Sequence, residues 1–180
     1  MTIAASPKVT TEGSSVIIEG TVTDIAAGTT QDEQAARFPN GVPAVSDASM
    51  QRWMEYVYMQ KPRPTDTVGV EVTLSVVDAN GNYRNIGTTT SDADGYYSLN
   101  WTPDITGKFT VFASFAGSES YWPSHAVSSF AVDAAAPTAA PTEPPQASIA
   151  DQYFIPAIIG LFIFVAIMSI VTILMLRKRP

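Results

Sequence analysis

Val70-Glu71-Val72-Thr73-Leu74-Ser75-Val76-Val77, then Asp78-Ala79-Asn80-Gly81-Asn82, then the run Tyr83 to Thr90: this stretch decides the fold. Val70, Val72, Leu74 and Val76 alternate with Glu71, Thr73 and Ser75. A period of two puts the apolar set on one face of a strand and the polar set on the other. The Asp/Asn/Gly segment reads as a turn, because Asx side chains bond their own backbone and glycine accepts positive φ. Tyr83 to Thr90 is then the returning strand.

The same pattern continues on both sides. Downstream, Ser91-Asp92-Ala93-Asp94-Gly95 is a second turn, and Tyr97, Leu99 and Trp101 alternate after it. A turn around Pro103 and Gly107 leads to Phe109, Val111, Ala113 and Phe115, and the loop from Gly117 to Ser124 leads to Ala126, Ser128, Phe130 and Val132. Upstream, Val16, Ile18, Gly20 and Val22 share one face, with Glu19, Thr21 and Thr23 on the other. About seven short strands, split by turn residues at roughly 10–15-residue spacing, predict an all-β antiparallel sandwich over residues 1–133.

Residues 25–67 interrupt the alternation. Within this insertion Met50, Trp53, Met54, Val57 and Tyr58 recur at helical spacing, which predicts a helix over 47–60. Ser46 or Asp47 is positioned to cap its start, and Lys61-Pro62-Arg63-Pro64 stops it. Residues 134–152 are rich in Pro, Thr and Ala and predict an extended stalk, with Thr138 and Thr142 as candidate O-linked sugar sites. Some fifteen residues of polyproline II reach roughly 45 Å.

From Ile155 to Leu176 no residue is charged. A helix of about 22 residues rises roughly 33 Å, which matches a hydrocarbon core of about 30 Å. Residues 153–176 are therefore expected to span a membrane, with Tyr153 and Phe154 at an interface. Arg177, Lys178 and Arg179 follow, whereas the other flank holds Asp133, Glu143 and Asp151 and no Lys or Arg. The positive-inside rule then puts the tail 177–180 in the cytoplasm and the bulk of the chain outside the plasma membrane. Met1-Thr2-Ile3-Ala4-Ala5-Ser6 has neither a charged n-region nor an apolar h-region. The expectation is an upstream portion belonging to a longer exported protein; the competing reading is a tail-anchored protein facing the cytosol.

Composition narrows the chemistry. The chain has no cysteine, which excludes disulfides, Cys-ligated metals and Cys nucleophiles. His125 is the one histidine, so a multi-His site is not expected. Three of the ten basic residues are Arg177, Lys178 and Arg179, so residues 1–151 carry seven basic against seventeen acidic residues, a balance of −10. Such a surface lacks the basic footprint that phosphate contacts need, so no nucleic acid partner is expected.

Several motifs together resemble a family. Val76-Val77-Asp78-Ala79-Asn80-Gly81-Asn82, Gly87 through Tyr97, Trp101-Thr102-Pro103 and Gly107-Lys108-Phe109-Thr110-Val111 resemble bacterial and archaeal Ig-like modules. Gly117 through Ser124 is similar to the final loop of the version found at the membrane-anchored C-terminus of archaeal surface proteins. There the module often follows a β-propeller and precedes a Pro-rich stalk. The resemblance implies an Ig-like sandwich and is silent on ligand.

Four groups of residues are candidate sites. Asp78, Asn80, Asn82, Asp92 and Asp94 offer oxygens to Ca²⁺, and their spacing matches the first half of an EF-hand loop, but the Glu at its twelfth position is missing; hairpin turns explain them as well. Tyr121 and Trp122 form a possible aromatic platform for a sugar or protein, or else fold over the core edge. Trp53, Met54, Val57 and Tyr58, with Tyr56 and Met59 beside them, either cover the sandwich or dock a partner. Asn100-Trp101-Thr102 is an N-glycosylation sequon. Ser124 and His125 are adjacent on an extended segment and point to opposite sides, so they do not form a nucleophile–base pair.

No catalytic constellation or cofactor motif emerges. The expected function is a non-catalytic, surface-anchored Ig-like module that spaces, presents or binds. Its partners are the membrane and another surface protein, an upstream domain or a glycan. The alternatives are an accessory carbohydrate-binding module, or a surface protein whose C-terminal helix is a processed sorting signal.

Overall fold

The computed structural model describes residues 1–137 and 149–178. They fall into two compact units, Met1–Ala136 and a second within Pro137–Pro180. In the first unit the chain runs β1 (Ala4–Ser6), β2 (Val9–Thr11), β3 (Val16–Thr21), β4 (Thr23–Asp24), a 3-10 turn (Ala27–Thr29), α1 (Asp32–Arg37), β5 (Val42–Pro43) and α2 (Asp47–Met59). It continues with β6 (Glu71–Val77), β7 (Tyr83–Thr90), β8 (Tyr96–Trp101), β9 (Gly107–Phe115) and β10 (Ser124–Asp133).

Two sheets form, ordered β1-β3-β8 and β2-β10-β9-β6-β7, with β4 and β5 paired separately. The inward residues of both sheets build one core. Val16, Ile18 and Tyr97 from the first meet Val72, Leu74, Val76, Phe109, Val111 and Phe130 from the second. The Phe109 and Phe130 rings stack at 5.2 Å, and Trp101 crosses them edge-on at 5.5 and 6.2 Å. Offset and edge-to-face packing of this kind adds about 0.5–1.5 kcal/mol per pair beyond area burial.

The expectation of a purely antiparallel architecture needs correction. The five-stranded sheet is mixed, because β2 runs parallel to β10 with Ala131 opposite Val9 and Asp133 opposite Thr11. The reason lies in the N-terminal segment. β1 pairs antiparallel with β3 at one sheet edge, and after Ser6-Pro7 the chain moves to the edge of the other sheet. Lys8 and Glu12 bracket the new pairing: the Ala131 N–H donates to the Lys8 carbonyl at 3.0 Å, and the Glu12 N–H donates to the Asp133 carbonyl at 2.9 Å. The strand count also rises. Six strands have six or more residues, and four have two or three.

The β6–β7 hairpin carries a bulge. Leu74 faces Gly87 and Ser75 faces Asn85, which leaves Ile86 as the extra residue of β7. Gly20 marks a close approach. A Cβ there would overlap the Thr2 carbonyl oxygen and come 2.5 Å from the Tyr97 hydroxyl, so only glycine fits where the N-terminal segment crosses β3. Tyr97 donates to that same Thr2 carbonyl at 2.6 Å.

The insertion holds its own small core. Val42, Val45, Trp53 and Val57 are buried together, with Phe38, Met50, Met54 and Tyr56 packed around them. The helix stops as expected: Gln60 takes the left-handed conformation, and the Lys61 N–H reaches back to the Glu55 carbonyl at 3.3 Å.

In the second unit, α3 spans Ile149–Arg177. Its Gln152–Arg177 portion is long and apolar enough to cross a membrane. At about 1.5 Å per residue, those 26 residues extend roughly 39 Å. The helix begins earlier than expected and takes in the last four residues assigned to the stalk. Pro156 lies inside it, and its missing N–H leaves the Gln152 carbonyl without an intrahelical donor. The Ser169 and Thr172 hydroxyls donate to the carbonyls of Val165 and Met168 at 2.8 and 2.7 Å, so both are satisfied within the helix. Thr138, Thr142, most of the expected stalk, Arg179 and Pro180 lie outside the described residues.

Candidate functional site

The candidate surface is built where α2 begins, where the chain leaves β4 and where the β9–β10 loop turns. Asp47 opens α2, yet its carboxylate faces the loop rather than the helix. It accepts from the Ser118 hydroxyl at 3.0 Å and from the Glu119 and Ser120 N–H groups at 3.1 and 3.2 Å. The hydrogen bonding from Ser120, joined by Glu119 and Ser118, holds this carboxyl below the usual carboxylate range. Ser46 sits at the N-cap position without a side-chain capping bond. Its hydroxyl meets that of Ser49 at 3.3 Å, and the Ser49 oxygen accepts from the Val68 N–H at 3.0 Å.

The loop itself is tight. Gly117 adopts φ 93°, and the Ser118 N–H donates to the Tyr121 carbonyl at 2.9 Å. Tyr121 and Trp122 then part company in the bend before β10. Tyr121 is half-buried, with its hydroxyl 4.0 Å from the Met50 sulfur, and burial pushes its phenol up to about 12. Trp122 is 91% exposed. The expected two-ring platform is therefore one ring, with Tyr121 as its packed support. A groove of about 400 Å³ lies beside Trp122, with Ile25, Asp24, Phe115 and Pro123 among its walls. Ile25 is itself mostly exposed.

The helix stripe divides in the same way. Trp53 and Val57 are fully buried, so they are unavailable to a partner. This corrects the docking reading for those two residues, and the cause is the insertion's private core. Met54 is half-buried, and Tyr58 and Met59 are exposed. Tyr58 donates to the Gly28 carbonyl at 3.4 Å. Arg37 ties the end of α2 down: it donates to the Val57 and Tyr56 carbonyls at 3.0 and 3.2 Å while lying 4.5 Å over the Tyr56 ring.

No protein-family model matches this chain, and no match is found among curated proteins.

The five Ca²⁺ candidates are not brought together. Asp78, Asn80 and Asn82 sit in the turn before β7, and Asp92 and Asp94 in the turn after it, so the length of β7 separates them. Eight residues of strand span about 26 Å. Each group forms an Asx-type turn. One Asp78 oxygen accepts from the Asn80 and Asn82 N–H groups at 2.9 Å each, and the other from the Asn82 amide at 3.1 Å. Asn82 above all holds the buried Asp78 carboxyl below the usual range. Asp92 accepts from the Asp94 and Tyr96 N–H groups at 2.8 and 2.9 Å, and Asp94 pairs with Arg63 at 2.6 Å. Among the described residues, no three His, Cys, Asp or Glu side chains group to hold a metal ion.

Ser124 and His125 face opposite sides of β10, with the Ser124 hydroxyl 3.8 Å from the Met1 sulfur. Asn100 and Thr102 are both exposed. Two features escaped sequence reading. Asp47 looks like a helix cap, and nothing local reveals a loop seventy residues away. Ile25 is a single apolar residue at the start of an irregular segment and carries no periodic signal.

Proposed function

We propose that this chain is a non-catalytic, membrane-anchored surface module whose β-rich unit is an Ig-like sandwich. The observation that carries the proposal is α3, apolar over Gln152–Arg177 and closed by basic residues. The charge asymmetry around it favours a β-rich unit outside the cell. The strand partition supports the Ig-like reading: β3 and β8 share one sheet, while β6, β9 and β10 share the other with β7 added beside β6, as in sandwiches of the immunoglobulin kind. The unit spaces or presents, and its binding end is the surface around Trp122.

The absence of cysteine gives a clean test of orientation. Ser15 is exposed. Full-length Ser15→Cys should react with a membrane-impermeant maleimide on intact cells, and Pro180→Cys only after lysis. The reverse pattern would overturn the proposal. Trp122 also favours a second reading, an accessory carbohydrate-binding module, since an exposed ring beside a groove suits stacking on a sugar. Glycan-array signals that vanish in Trp122→Ala would select it.

A further inference from the structure

We infer that Asn100 is an N-glycan attachment site, and that its glycan covers the outer face of the three-stranded sheet. This inference rests on the external placement proposed above. The chain has five asparagines, and only Asn100 begins an Asn-x-Ser/Thr sequence.

The structure supplies what the motif lacks. Asn100 lies in β8, and its side chain points away from the core. The inward series of that strand is Tyr97, Leu99 and Trp101, so Tyr96, Ser98 and Asn100 face outward. Thr102 lies two residues on and is exposed too. Thr102 stands one residue past the end of β8, so both the acceptor and the hydroxyl of the motif are open to solvent.

The surroundings gain from a glycan in two ways. Ile17 is the direct cross-strand partner of Asn100 and is 48% exposed on that outer face. Opposed Cβ atoms lie about 4.5–5.5 Å apart, so a sugar on the Asn100 nitrogen sits over the Ile17 side chain. β8 is also an edge strand, with β3 as its ladder partner among the described residues. An exposed edge beside apolar side chains invites pairing with another chain, and a bulky hydrophilic group there blocks it. The bond is an N-glycosidic link formed when the Asn100 amide nitrogen displaces the leaving group of a lipid-linked, activated oligosaccharide donor; the amide proton is lost and the donor's pyrophosphate or phosphate carrier departs.

The test uses the full chain isolated from its own membranes. Trypsin cuts after Arg84 and Lys108, so Asn100 falls in the peptide 85–108. Mass spectrometry should find that peptide carrying a hexose or hexosamine-containing adduct. Asn100→Gln and Thr102→Val should each abolish it, whereas Thr102→Ser should retain it. Protease shaving of intact cells runs in parallel. An unmodified peptide from a chain that shaving removes overturns the glycan and leaves the external reading standing. An unmodified peptide from a chain that shaving leaves intact overturns both.

Discussion

Side chains that look equivalent in the sequence have opposite consequences. Trp53 is fully buried among Val42, Val45 and Val57, and Trp122 is almost fully in solvent. Trp53→Ala should cost about 3–5 kcal/mol by leaving a cavity. Trp122→Ala should stay within roughly 0.5 kcal/mol of the parent. Urea unfolding followed by circular dichroism distinguishes them, and equal losses would contradict the burial described here. Gly20→Ala adds a single carbon, yet it forces the Thr2 carbonyl and the Tyr97 ring apart. Overpacking of this kind should cost about 1–3 kcal/mol. The same unfolding measurement reads it. None of these differences was legible from residue type. Trp53 sits on a helical stripe that marks it as buried, but the sequence leaves open whether its own chain or a partner does the burying.

At the scale of the element, turns and tethers respond to acid. Asp78 is buried and accepts three hydrogen bonds as a carboxylate, so its folded pKa lies below its unfolded one. Its stabilising effect on the β6–β7 hairpin is complete above about pH 4 and is lost as pH falls further. Asp78→Asn keeps the acceptor oxygen but not the charge. Its melting temperature should therefore vary less between pH 5 and pH 2 than that of the parent; identical slopes would remove Asp78 from the account. Asp47→Ala frees the Ser118, Glu119 and Ser120 donors. Faster amide hydrogen exchange over 118–121 should follow, with little change in β6.

The elements themselves were unevenly legible. β3, β6, β8, β9 and β10 announced themselves by alternation, and β7 followed from its turn. β1, β2, β4 and β5 have two or three residues each, too few for a period to register. α1 is a six-residue helix of mostly polar composition with no apolar stripe to find. Its neighbour Phe38 closes the insertion's core from a position that reads as loop.

For the whole molecule, the long apolar helix α3 is the feature read most directly, since length and absence of charge predict it. A charge in its middle should undo it. Val165→Arg adds about 2.5–3.5 kcal/mol to insertion, and the chain should shift from the carbonate-resistant membrane fraction toward the soluble one. Retention equal to the parent would mean that α3 is not what holds it. Topology was harder to see. Which strand lies at which edge depends on contacts such as Lys8 with Ser128, 120 residues apart, and local pattern carries no trace of them.

The parallel pairing of β2 with β10 has a mechanical consequence. β2 lies near the start of the β-rich unit, and β10 is the strand from which the chain runs on toward α3. Tension applied between the start of β2 and the end of β10 pulls these two strands in opposite directions along their length. Their hydrogen bonds, from the Lys8 carbonyl to the Glu12 N–H, are then loaded in shear and must fail together rather than one by one. β2 thereby acts as a clasp that holds the last strand of the unit in place when it is pulled along its length.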